Sequence, residues 1–141
     1  MSITIDTREV DRLLLSLPKE IRGETLGAAL LRGGQIVALD SALGAPRGLT
    51  GRLAAAEEAE LATAEADYAE VHVGTRLGSK VFYQHFVVGG TKPHELRDVG
   101  EGVHPGAPPN PFRERALTEN QDVVIQEVAD EVRRRAEGVK V

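Results

Sequence analysis

The sequence predicts a mixed α+β domain with a long C-terminal helix. Three features predict it: apolar residues at helical spacing between 7 and 43, the same spacing again from 111 to 137, and a period-two segment at 68–74. The 141 residues suit one domain with one core, so 1–141 is read as a single unit.

Ser2 to Asp6 reads as a short strand or a tail. Asp6 is placed to cap a first helix over Thr7 to Leu17, with Glu9 completing a capping box. Val10, Leu13, Leu14 and Leu17 fall on one face of it. Pro18 interrupts and is tolerated in a first turn, so a second helix is expected from there to about Leu43. Leu26, Ala29, Leu30, Gly33 and Val37 form its apolar stripe. Gly23, Gly27, Gly33 and Gly34 each cost up to about 1 kcal/mol against Ala in a helix interior, which points to close approach of another backbone or a kink at Gly33-Gly34.

Gly44 to Gly51, GAPRGLTG, is a breaker cluster and reads as a loop. Arg52 to Asp67 is rich in Ala and Glu, which favour helix. Ala69, Val71 and Val73 then alternate with Tyr68, Glu70 and His72, the signature of a half-buried strand over Tyr68 to Gly74. Lys80 to Val88 is read as a short helix ended by Gly89-Gly90. Thr91 to Asn110 shows no periodicity and is rich in Pro, Gly, His and charge; it is read as a long loop or extended arm. Asn110 as N-cap and Pro111 as first residue open a last helix to about Glu137, stopping at Gly138. Phe112 and Ala116 anchor its start, Leu117, Val124, Val128 and Val132 continue a stripe, and Arg133 to Arg135 suit the C-terminal end of the helix dipole.

Composition narrows the function classes. Hydrophobic residues at 41% and charged residues at 28% are ordinary for a soluble globular chain and unlike a disordered or membrane one. There are no Cys, which excludes disulfides, thiolate nucleophiles and Cys-ligated zinc. No apolar run has membrane-span length and the N-terminus lacks a signal-peptide pattern. A net charge of −5 argues against gripping nucleic acid through phosphates, while a conduit through which DNA slides is expected to be neutral or acidic. With three Phe, two Tyr and no Trp, each aromatic is expected to carry a large share of the packing.

Chemistry-bearing patterns are thin. His94 and His104 share a loop with Glu95, Asp98 and Glu101, but there is no HExxH and no His pair at i and i+4. None of Ser2, Ser16, Ser41 and Ser79 sits in a nucleophile elbow. GLTG and VGGT lack the Lys and hydroxyl of a phosphate loop. The acidic run Glu57, Glu58, Glu60, Glu65 and Asp67 reads as a solvated or lumen-facing surface, and Arg133 to Arg135 as an exposed helix face with partners four residues away.

Four blocks in order carry a resemblance: the helical region with Ala28, Ala29, Leu30 and Ile36; APRGLTGRL from Ala45 to Leu53; YQHFVVGGT from Tyr83 to Thr91; and HPGAPPNPFRERAL from His104 to Leu117. Together they resemble the small minor tail or neck proteins of long-tailed bacteriophages, a family that includes tail-completion and tail-terminator components. The resemblance implies helices against an antiparallel sheet, a strand within Arg52 to Asp67, and an extra hairpin of that family reduced here to a simple arm. It implies a structural virion protein and not an enzyme, without cofactor, assembled in the host cytoplasm into a homo-oligomeric ring at the head-tail junction. The expected partners are copies of itself, a hexamer against a sixfold tube, the tail-tube protein, the head-closure or connector protein, and DNA passing through the lumen. The tail terminator is the leading expectation; a head-closure ring, an assembly adaptor and a small metal-dependent hydrolase are the alternatives. Pro46, Leu49, Thr91, Lys92, Pro93, His94, His104 and Pro105 are the candidate interface, and Glu57, Glu58, Glu60 and Glu65 the candidate DNA-facing wall.

Overall fold

The computed structural model describes residues 8–48, 50–96 and 102–138. The expected cap Asp6, the segment Ser2 to Asp6, the candidate contact Leu49, and Asp98 and Glu101 lie outside them. The fold is α+β, with two small antiparallel sheets among helices. In order the elements are α1 (Arg8–Leu15), α2 (Lys19–Gly44), α3 (Arg52–Ala56), β1 (Glu57–Glu65), β2 (Tyr68–Thr75), α4 (Gln84–Gly89), β3 (His94–Glu95), β4 (Val103–His104), α5 (Phe112–Glu119) and α6 (Gln121–Gly138). Among the described residues no helix is long and apolar enough to cross a membrane.

Helix α2 is the axis of the molecule, touching β1, β2, α3, α5 and α6. One of its faces joins α1 and α6 in a first core of Leu14, Leu17, Ala29 and Val132, edged by Val10, Leu13, Ile21, Leu26 and Val128. The first stripe is as expected; of the second, Leu26 and Ala29 reach this core, and of the last, Val128 and Val132, while Leu117 is exposed, and the burial of these residues holds the three helices together.

Its second face takes the β1–β2 hairpin, and here the glycines have their reason. A Cβ on Gly23 would stand 2.8 Å from the carbonyl carbon of Glu65, on Gly27 2.8 Å from the Cβ of Ala64, and on Gly34 2.5 Å from Val71. Gly33 gives similar room to Val124 of α6. Of the two expectations, close approach is the one observed; α2 stays helical through Gly33 and Gly34. Gly23, Gly27, Gly34 and Ser41 form one stripe, and a two-stranded sheet that cannot stand by itself is covered by it.

Arg52 to Asp67 divides between the two expectations: five residues of helix, then a nine-residue strand. Alanine is a poor strand former. Tertiary packing overrides that preference, because Ala59 and Ala64 are the small side chains that the glycine stripe of α2 admits. A register shift between Leu61 and Thr63 keeps Ala64 directed at the helix after the irregularity. The strand expected at Tyr68 to Gly74 is β2, and its Val71 lies against Gly34.

Two further expectations are corrected. The last helix does not run unbroken from Pro111: α5 ends at Asn120, whose amide donates to Asp40 Oδ2 at 2.7 Å and to the Ala116 carbonyl at 2.8 Å, and α6 begins anew. Asn side chains compete with the helix for backbone partners in this way. Asn110 is not the N-cap either. Pro111 takes that position without a side-chain cap, while the Asn110 N–H donates to Val87 O and its side chain accepts from Arg115.

Candidate assembly interface

Three of the blocks that carry the resemblance meet in a second core. Ala45 and Leu53 come from the first, Tyr83, Val87 and Val88 from the second, and Phe112 from the third; Ala54, Ala56 and Val81 complete the cluster. Phe112 is 1% exposed and stacks under the Arg113 guanidinium, 5.0 Å from its ring centre. This core fixes the bases of the 45–52 loop, α4 and the 91–110 segment relative to one another.

From that core residues 91–96 and 102–110 project as an antiparallel ribbon, where a long loop or arm without periodicity was expected. Thr91 and Ala107 exchange both backbone hydrogen bonds, at 2.9 and 3.1 Å, and the Thr91 hydroxyl also accepts from the Ala107 N–H. Farther out His94 pairs with His104 and Glu95 with Val103. The crossing at the base needs glycine twice. Gly90 and Gly106 have φ of 72° and 79°, and a Cβ on either would run into the backbone of the opposite strand.

The two ribbon histidines stack, with ring centres 5.0 Å apart and planes 20° from parallel. His94 Nδ1 lies 3.0 Å from the Lys92 carbonyl and must carry the proton there, whereas His104 Nδ1 accepts from the Gly106 N–H at 3.0 Å. The two rings are thus held in opposite tautomers.

Of the candidate contacts, Pro46, Lys92, Pro93, His94, His104 and Pro105 are exposed, and Thr91 is half-buried in the ribbon base. Pro46 and Thr91, far apart in sequence, line one surface groove of about 520 Å³ together with Tyr83, Phe86, Val87 and Asn110.

The expectation that every aromatic serves the packing fails. Phe82 is 76% exposed, Tyr68 54% and Phe86 49%, and Leu77 and Val103 are also open to solvent. The helix expected over Lys80 to Val88 begins only at Gln84, with Phe82 and Tyr83 in a turn before it; an apolar run such as KVFYQHFVV leaves one side uncovered when only the other meets a core, which is the signal that could have marked Phe82 and Phe86. Exposed aromatics in a chain with so few are characteristic of contact surfaces.

The acidic positions separate. Glu57 is corrected: its side chain is fully shielded from solvent and held by Arg113 and Ser41, so it lies on no outer wall. Cross-strand pairing of Glu60 with His72, Thr63 with Glu70 and Glu65 with Tyr68 puts these groups, with Glu58, on the hairpin face turned away from α2. Glu70, missed as an acidic candidate, accepts from the Tyr68 hydroxyl at 2.7 Å and pairs with His72. The Tyr68 bond, then the His72 bond, holds the Glu70 carboxyl below its usual range, and the same contact pushes the Tyr68 hydroxyl up.

Arg133 to Arg135 form the ion-paired helix face expected of them. Arg133 meets Glu9 and Asp130, Arg134 meets Glu127 and Glu131, and Arg135 meets Glu131. Arg32 of α2 reaches the same Glu127 and Glu131, which ties α2 to α6.

The histidines are dispersed: His72 on the hairpin, His85 against Phe86, and His94 with His104 on the ribbon. Among the described residues no group of three or more His, Asp or Glu side chains is placed to hold a metal ion. An apolar cleft of about 420 Å³ lies between α2, β2, α5 and α6, with Arg113 and Glu114 its charged lining residues. Set against models of known families, curated proteins and solved structures, the chain matches none.

Proposed function

We propose that this chain is a structural subunit of a bacteriophage head-tail junction, forming a ring that caps the tail tube and joins it to the filled head, that is, a tail terminator. The observation that supports this reading is the convergence of three separated blocks on one small core that supports a projecting ribbon. Several residues of those blocks have packing or turn roles: Ala45, Leu53 and Phe112 fill the core, Gly90 lets two backbones cross, and Thr91 locks the ribbon. A segment so braced at its base, with exposed Pro93, His94, His104 and Pro105 beyond it, suits a contact that reaches a neighbouring subunit. The neighbours on this reading are copies of the chain, six to match a sixfold tube, with the tube protein on one side and the connector on the other.

The test is electron microscopy of a lysate from the phage or prophage that encodes the chain, carrying an early stop codon in this gene. Filled heads beside unattached tails of abnormal length are expected. Emptied heads beside normal tails would move the protein up one position, to head closure. Intact infectious particles would sink both.

A further inference from the structure

We infer that the outer face of the β1–β2 hairpin docks onto a basic corner of a second copy of this chain, in a head-to-tail contact. The contact deepens the ring reading and rests on it for closure of the series of copies.

The first observation is where the arginines find partners. In the helical body Arg22, Arg32, Arg113, Arg133, Arg134 and Arg135 meet carboxylates, while Arg115 donates to the Asn110 side chain and Arg12 has no ion pair among the described residues. Arg52, Arg76 and Lys80 are exposed, line one concavity together with Ser79, and have no carboxylate within ion-pair distance among the described residues. In a chain with 22 acidic and 17 basic residues, cations left unpaired together on one concave surface are not explained by a shortage of acids.

The second observation is the opposite charge along the outer face of the hairpin, Glu60 midway and Glu65 at the tip. Glu60 and Glu65 are exposed on the outer face, and neither has an ion pair among the described residues. Arg76 follows the last residue of β2, at the base, whereas Glu65 pairs with Tyr68 at the tip. Eight strand residues at about 3.3 Å each put roughly 25 Å between them, too far for the two groups to satisfy each other within one molecule. Between molecules they can. Tyr68 stands beside Glu65, 54% exposed, with its hydroxyl held by Glu70, so the acidic tip also offers an aromatic ring over which an arginine can lie.

Repeated head to tail, such a contact is heterologous, the kind that generates rings when the rotation closes; a reciprocal twofold pairing, with each tip on the other copy's corner, would stop at dimers, so a double variant that yields dimers and nothing larger overturns the head-to-tail contact. This assigns Glu60 and Glu65 to a seam between copies in place of the DNA-facing wall.

The absence of Cys makes the test clean. The doubly substituted chain Thr63→Cys/Ser79→Cys, which places one thiol on the outer face between Glu60 and Glu65 and one among the basic residues of the concavity while keeping every charge, is oxidised at high concentration in low salt and run on a non-reducing gel beside each single variant. Both positions are half-buried and belong to neither core, so melting of the reduced proteins should match the parent. A ladder of dimer, trimer and higher species from the double variant, monomers from the singles, and suppression of the ladder near 1 M salt are expected. No ladder, or a dimer from either single variant, overturns the contact. Adding Arg76→Glu/Lys80→Glu to the double variant should abolish the ladder, and mixing that chain with a double variant that also carries Glu60→Lys/Glu65→Lys should restore it. A duplex oligonucleotide that binds the parent at physiological salt and loses at least tenfold in affinity with Arg76→Glu/Lys80→Glu would reassign the corner to phosphate and overturn the proposal. No ladder from a protein that co-purifies with virions overturns this contact and leaves the ring reading standing. A ladder from a protein absent from virions supports the contact and sinks the ring reading.

Discussion

Arg113, at the start of α5, closes over the carboxylate of Glu57, 56 residues earlier at the start of β1, with its Nε 3.0 Å from each carboxylate oxygen. Ser41 of α2 donates to the same carboxylate at 2.7 Å, and Gln84 of α4 accepts from Arg113 at 2.7 Å. One ion pair therefore joins four elements around the second core. The Glu57 side chain has no solvent contact, whereas Arg113 is 24% exposed. Removing the arginine leaves a buried charge without its partner, so Arg113→Ala is expected to cost about 3 kcal/mol, at the low end for a buried pair because Arg113 is partly hydrated. Glu57→Gln, which keeps the Ser41 contact, should cost less. Urea unfolding of both variants checks the order; the reverse order would show that the pair is not what holds this corner.

Gly23 tests the hairpin seat. Alanine there improves helix propensity by up to about 1 kcal/mol, but its Cβ would stand 2.8 Å from a backbone carbon of Glu65, which has no flexible end to move aside. Overpacking should win, with Gly23→Ala less stable by about 1 to 3 kcal/mol. Gly89 has nothing within 4 Å of its added Cβ, and Gly89→Ala should stay within about 0.5 kcal/mol of the parent. Equal melting temperatures for the two variants would contradict the packing described.

The ribbon can be separated from the fold. Gly106→Ala forces a side chain into left-handed backbone and onto the Thr91–Lys92 peptide, 2.8 Å from the Lys92 carbonyl carbon, at a place remote from both cores. Hydrogen exchange at the Thr91, Leu96 and Ala107 amides should speed up by about tenfold or more while the global melt shifts little. If the ribbon reaches a neighbour, the same variant should fail to join heads to tails in complementation.

Glu131, with its side chain 10% exposed among Arg32, Arg134 and Arg135, makes the α2–α6 contact sensitive to acid. The hydrogen bond from Arg135, and then the surrounding positive charge, hold its carboxyl below the usual value of 4.5. A depressed carboxyl contributes stability that is complete above its unfolded value and lost as pH falls through the folded one. The melting-temperature gap between the parent and Glu131→Gln should thus be constant from about pH 6 to 7 and shrink below about pH 4.5. A gap that widens in acid would show the opposite linkage.

The sequence by itself determined the helical frame and the central strand. Apolar positions such as Leu14, Leu17, Ala29 and Val132 repeat at helical spacing, and Val71 and Val73 alternate, because burial on one face imposes a period on the order of residues along the chain. It also marked Gly23, Gly27, Gly33 and Gly34 as places of close approach or, at Gly33-Gly34, of a kink, since nothing local rewards glycine inside a helix. What approached them only the tertiary structure decided: Arg52 to Asp67 turns from helix to strand at Glu57 because the glycine face of α2 admits a strand of small residues there. Glu57 looked like any other member of an acidic run until Arg113 folded onto it, and Thr91 to Asn110 gained a ribbon through partners 16 and 10 residues apart whose pairing depends on Gly90 and Gly106 crossing tightly. Local preference reads out periodicity and turns; which side chains are buried, paired or left facing outward is settled by contacts between residues distant in the chain, and the candidate interface consists of such residues.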